Sequence, residues 1–148
     1  MATRGLPTWP HLNESAEALP EAERLLLDAI RAWAGPGPAG PLGEAALVLA
    51  AGGAEGTALL LDPLLRALPG MQIGCALCPI VAQGEAALLL ATSAAQHGTR
   101  GLALGMLHRL APPLGAYRAM PILIGLACAL KRGGITLVTP PLTGAPPG

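Results

Sequence analysis

The sequence is poor in charge, in aromatic rings and in the residues that build strands. Charged residues fill 12% of its 148 positions, nine basic against nine acidic, about half the usual share of roughly 25%. A net charge of zero leaves no basic face for phosphates, which argues against a nucleic-acid partner. It also leaves no charge excess to hold the chain open. Phe is absent, there are two Trp and one Tyr, and Val and Ile together supply 9 residues. Since β-branched and aromatic residues favour strands, an all-β architecture is disfavoured. Serine occurs only as Ser15 and Ser93, neither of them in a Gly-x-Ser-x-Gly elbow. The run Gly52-Gly53-Ala54-Glu55-Gly56 lacks the Lys-Ser/Thr ending of a phosphate loop and reads as a break between helices. Met1 to Leu12 contains Arg4, two prolines and a tryptophan, so it lacks the apolar core of about 7–15 residues that a secretory signal needs. Three cysteines, an odd number, do not suggest a disulfide framework. A cytoplasmic setting is expected.

Ala and Leu supply 29 residues each, and both favour helices. The length suits one domain, typically about 100–150 residues, and the composition predicts an all-α bundle of five to six helices. The mean hydropathy of +0.53 raises the question of a membrane. However, the most apolar unbroken helical run, Ala119 to Leu130, is 12 residues long, well short of the roughly 20 of a spanning helix. A membrane span is therefore not expected.

Punctuation by Pro and Gly divides the chain. Residues 1–19 read as a flexible lead-in, 20–134 as one helical domain and 135–148 as an extended Pro-rich tail. A first helix begins at Pro20, a residue tolerated at the first helical position, and stops at Gly35-Pro36. Ala22, Leu26, Ile30 and Trp33 mark one face of it, with Arg24 and Asp28 paired on the wet side. Shorter helices are expected over Glu44–Ala51 and Thr57–Leu68, the latter either kinked at Pro63 or restarted there with Asp62 as cap. Met71 to Val81 is the least helical stretch, with a short extended piece near 71–74. Gly84 to Gln96 is apolar on several faces and reads as an enclosed helix. Arg100 to Ala111 follows, with Thr99 as its cap. The last helix starts at Pro113 or Pro121 and ends at Lys131-Arg132 before Gly133-Gly134. A second short extended piece is expected over 135–138. Gly101 and Gly105, four apart, suggest close packing of two helices.

Cys75-Ala76-Leu77-Cys78-Pro79 is the one motif with a chemical look. Two thiols three residues apart can share a metal ion or cycle through a disulfide. Cys75 and Cys78 are thus candidate zinc ligands. A structural zinc site needs four ligands, and His97 and Cys128 are the further candidates, with His108 and His11 more remote. Cys128, in the most apolar helix and four residues after Ile124, reads rather as a core thiol. A thioredoxin-like setting would place the pair at a βαβ unit, and no strands flank it. Among the carboxylates, Glu14, Glu17, Glu21, Glu23 and Asp28 read as solvating charge. Glu44, Glu55, Asp62 and Glu85 appear isolated, and the helix dipole alone accounts for Glu85. No catalytic residue is assigned.

Several stretches together resemble a family of small bacterial proteins known as a domain of unknown function. They are Arg24-Leu25-Leu26-Leu27-Asp28-Ala29-Ile30-Arg31, Leu64-Leu65-Arg66-Ala67-Leu68, Cys78-Pro79 followed by Gly84-Glu85-Ala86, and Leu126-Ala127-Cys128-Ala129-Leu130. The resemblance covers about 20–134 and implies a helical fold in which a Cys-Pro turn separates two halves, and no activity. Here the turn holds just Cys75 and Cys78, and Ala82 stands where a Thr would complete a capping box with Glu85. The main expectation is a non-enzymatic interaction or assembly domain that self-associates or binds a protein through an Ala/Leu face between Gly84 and Leu130. The alternatives are a metal-binding or thiol-redox module at Cys75 and Cys78, and a peripheral membrane protein.

Overall fold

The computed structural model describes residues 11–138, and within them the chain is all-helical. The helices are α1 (Glu21–Ala34), α2 (Gly40–Ala51), α3 (Ala58–Arg66), α4 (Gln83–Gln96), α5 (Arg100–Leu110) and α6 (Pro113–Arg132). Prolines and glycines set most of these limits as the sequence implies, but α2 starts at Gly40 rather than Glu44, with Pro41 in its first turn, and α3 ends at Arg66 rather than Leu68. Pro20 precedes α1 and Gly35 ends it. Pro112 precedes α6, whose first residue is Pro113, so Pro121 lies inside one continuous 20-residue helix. Pro63 is likewise internal to α3.

The apolar surface is arranged around α4. This helix contacts α1, α5 and α6, while α3 bridges α2 and α6. Twelve of the 14 residues of α4 are buried, as expected of a helix apolar on every side. It therefore cannot contribute to an outward Ala/Leu face. Leu88, Leu89, Leu107, Leu123 and Leu126 are sealed from solvent and knit the second half together. Leu26, Leu27, Ile30, Leu61, Leu64 and Leu65 do the same in the first. On α1 the enclosed face is Leu26, Leu27, Ala29 and Ile30, while Ala22 and Trp33 are only partly buried. The Arg24–Asp28 pair forms at 3.2 Å on the wetter side.

The two segments flanking the helices are more than lead and tail. From His11 onward the chain packs: Ala16 and Leu19 enter the core. Ala16 N–H donates to Pro79 O, and Val81 N–H to Glu14 O. At the other end Ile135 and Leu137 are buried. The Gln96 side chain donates to Ile135 O (2.9 Å) and accepts Leu137 N–H (2.7 Å). The remaining parts of the expected lead-in and tail, 1–10 and 139–148, lie outside the described residues. Neither 71–74 nor 135–138 is a strand, and the β-bridge Ser15–Ile80 is an isolated one.

Three local expectations fail. Thr99 precedes α5 without a side-chain cap. Asp62 does not cap a new helix: it accepts Trp33 Nε1–H at 2.8 Å and Arg66 Nε–H at 3.0 Å, and the first of these bonds leads in holding its carboxyl below the usual range. Gly101 and Gly105 face open space rather than a neighbouring helix. At 20 residues α6 is also longer than the apolar run suggested. It is the one helix among the described residues long and apolar enough to cross a membrane, with a mean hydropathy of 1.4, and a third of its apolar window is buried within the fold.

The packing predicts unequal tolerance to truncation. Leu88→Ala should destabilise by about 2–5 kcal/mol, because its cavity lies in the central helix, whereas Leu47→Ala at an exposed site of α2 should change stability by less than about 0.5 kcal/mol. Urea denaturation of both variants measures the difference.

Candidate functional site

The loop between α3 and α4 crosses the N-terminal end of α4 so closely that a Cβ on Gly84 would lie 2.5 Å from Gln72 O. Glycine is required there by the close approach of two backbones. The loop then turns through Cys75–Cys78 and returns to α4. Because such a loop has no ladder to satisfy its backbone groups, it needs partners from elsewhere. The backbone of Glu14 and Ala16 serves its Pro79–Val81 end, and two side chains hold the rest of the turn.

Arg31, on the last turn of α1, reaches the loop from beneath. Its Nε–H and an Nη2–H donate to the two oxygens of Glu85 at 2.8 and 3.0 Å, a bidentate pair. It also donates from Nη1 to Cys78 O at 2.7 Å and from Nη2 to Ile80 O at 3.0 Å. Glu85, in the first turn of α4, additionally accepts Ala82 N–H at 2.8 Å and Gly74 N–H at 2.9 Å. Ala82 has no side-chain acceptor, so this is half of a capping box. Arg31 is 3% exposed and Glu85 fully buried. Neither is a surface charge explained by a helix dipole, and Glu85 is not isolated. Hydrogen bonding to Glu85 raises the Arg31 pKa further. Burial alone would push the Glu85 carboxyl up, but the Arg31 bonds, the two backbone N–H groups and the guanidinium charge outweigh it and hold it below the ordinary carboxylate range.

On this platform the two thiols converge. Cys75 Sγ lies 2.9 Å from Cys78 Sγ, and Cys75 N–H donates to Cys78 Sγ at 3.2 Å. Both cysteines are free, Cys75 exposed and Cys78 half-buried. The hydrogen bond from the Cys78 thiol, then the Leu77 and Cys78 N–H groups and the Arg31 charge, hold the Cys75 thiol below its usual range.

The other sequence candidates are not brought here. His97 Nε2 lies 2.9 Å from Leu137 O. Cys128 is exposed on α6 rather than a core thiol, because its position four residues after Ile124 falls on the helix's outer side. His108 is exposed and stacks edge-on against Tyr117. His11 lies 3.3 Å from Glu14 and 3.8 Å from Glu23. Among the described residues, no three His, Cys, Asp or Glu side chains gather in a metal-holding group. Glu23, expected to be solvated, is 1% exposed and accepts Val138 N–H at 2.9 Å. The sequence reading missed Arg31 and Glu85 as partners. Their signal is faint: a basic residue ending one apolar helix, an acidic residue opening another, and few competing charges.

Comparison with family models, with curated proteins and with solved structures finds no match to this chain.

Breaking the buried pair should be costly. Glu85→Gln leaves Arg31 buried without its counter-charge and should destabilise by about 3–5 kcal/mol at neutral pH. The contribution of Glu85, whose folded pKa is depressed, is fully present above the ordinary carboxylate value of 4.5 and is lost as pH falls through the folded value. The stability gap between wild type and the variant, read by urea denaturation, should therefore narrow through the acid range.

Proposed function

We propose that this chain is a thiol–disulfide exchange module in which Cys75 attacks and Cys78 resolves. The observation that carries the reading is a pair of free sulfurs 2.9 Å apart on an exposed turn, with the outer thiol shifted toward its thiolate. The thiolate is the reactive form. Cys75 S⁻ attacks one sulfur of a substrate R–S–S–R′, forming a mixed disulfide and releasing R′–S⁻, which takes up a proton. Cys78, having lost its proton, then attacks Cys75 Sγ, closes the Cys75–Cys78 disulfide and expels R–S⁻. The substrate gains two electrons and the dithiol loses them. Arg31 and Glu85 are positioning residues that fix both ends of the turn. A reducing compartment such as the cytoplasm, proposed here as the setting, would return the pair to the dithiol.

Zinc at Cys75 and Cys78 is a weaker reading of the same residues, since two further ligands would have to join them. A different class of function, a non-enzymatic assembly domain, is favoured by the exposed Leu47 of α2, Leu59 of α3, and Leu114 and Tyr117 of α6. Sedimentation equilibrium at micromolar concentration tests it, and a clean monomer would exclude self-association.

Cys128 is a built-in control, since it is exposed but has no neighbouring thiol among the described residues. Cys75 should be alkylated by iodoacetamide about tenfold faster than Cys128 near pH 7. In dithiothreitol or glutathione redox buffers the pair should titrate as one two-electron couple. Cys78→Ser should accumulate a mixed disulfide at Cys75, and Cys75→Ser should not. Equal alkylation rates and the absence of a titrating pair would overturn the reading, and stoichiometric zinc on purified protein would favour the metal reading.

A further inference from the structure

A cleft of about 480 Å³ opens directly beside Cys75, between the end of α1 and the turn. Its walls include Ala34, Gly35 and Pro36 from the end of α1, Ile73 and Ala76 from the turn, and Glu44 from α2. Arg31 also lines it, but its charge is matched by Glu85 and committed to hydrogen bonds within the fold. That leaves Glu44 as the cleft's one charge without a counter-ion among the described ion pairs. Its carboxylate accepts Ala39 N–H at 2.9 Å. On the turn itself, between the two cysteines, Leu77 stands 92% exposed.

An attacking sulfur set between a protruding leucine and a cleft with apolar walls and no free cation selects its disulfide by what flanks the sulfur. Glutathione disulfide brings several carboxylates, for which the cleft offers no free cation and to which Glu44 is repulsive. An aliphatic side chain next to a cysteine gains by leaving water in the cleft and against Leu77. We infer that the substrate is a disulfide carried on a polypeptide, with an aliphatic, acid-free segment beside the attacked sulfur. This rests on the thiol-exchange reading and adds the substrate class to it.

The test is the rate at which the reduced protein is oxidised by three probes. They are glutathione disulfide and two symmetric disulfide-linked peptides, acetyl-Gly-Leu-Cys-Leu-Gly-amide and acetyl-Gly-Asp-Cys-Asp-Gly-amide. Each rate is divided by that of the same probe with dithiothreitol, which removes intrinsic reactivity. The leucine peptide should exceed both others by about tenfold or more. Ala34→Trp, at an exposed position on the cleft wall, should lower the rate of the leucine peptide more than that of glutathione disulfide, so that the preference shrinks, with circular dichroism confirming the fold. Glu44→Gln should raise the rate of the aspartate peptide selectively. Equal corrected rates, or a faster acidic probe, would overturn this inference and leave thiol exchange standing. Oxidation by every probe no faster than that of Cys75→Ser would instead overturn thiol exchange itself.

Discussion

One buried ion pair organises the part of this protein where chemistry is available. Arg31 and Glu85 come from helices 54 residues apart in sequence and meet in a chain with very few charges. Such a pair is expensive to desolvate, and its attraction offsets the cost only when the remaining donors and acceptors are used. Here they are used on the loop: Gly74, Cys78, Ile80 and Ala82 each give or receive a hydrogen bond from the pair. A glycine- and proline-punctuated turn is thereby held against α1 and α4 without any strand. The geometry of the two sulfurs follows from that anchoring, since Cys78 is fixed through its own carbonyl.

The helical architecture was legible because local signals agreed with one another. Leucine and alanine dominate, prolines open α1 and α6, glycines follow α1, α2 and α6, and the stretch around Leu88–Leu90 is apolar on every side. Boundaries held where a proline or glycine stands at the end of an apolar run. Where a proline lies within a run, as at Pro63 and Pro121, sequence gave two answers and packing chose the continuous helix. Buried apolar neighbours on both sides outweighed the loss of one backbone hydrogen bond.

The candidate site was only half legible. Cys75 and Cys78 are visible because their spacing is local. Arg31, Glu85 and Glu23 look like ordinary helix-end charges, since a dipole preference and a long-range ion pair leave the same mark in sequence. Burial of a polar group depends on partners distant along the chain, and periodicity carries no information about them. Cys128 shows the converse error. An apolar helix need not bury every apolar position: α6 is covered on one side only, and its thiol falls on the other.

Glu23 carries a consequence for the chain's connectivity. The His11 ring stands 3.8 Å from this carboxylate and the Val138 amide 2.9 Å from it, so the first and the last described residues flank a single side chain. A brief Gly/Ser bridge from 138 back to 11 would therefore span little distance, and new ends could be opened in the solvent-exposed glycine turn around Gly53. The order in which the six helices are synthesised could then be rearranged while the thiol turn keeps its bonds to Glu14 and Ala16.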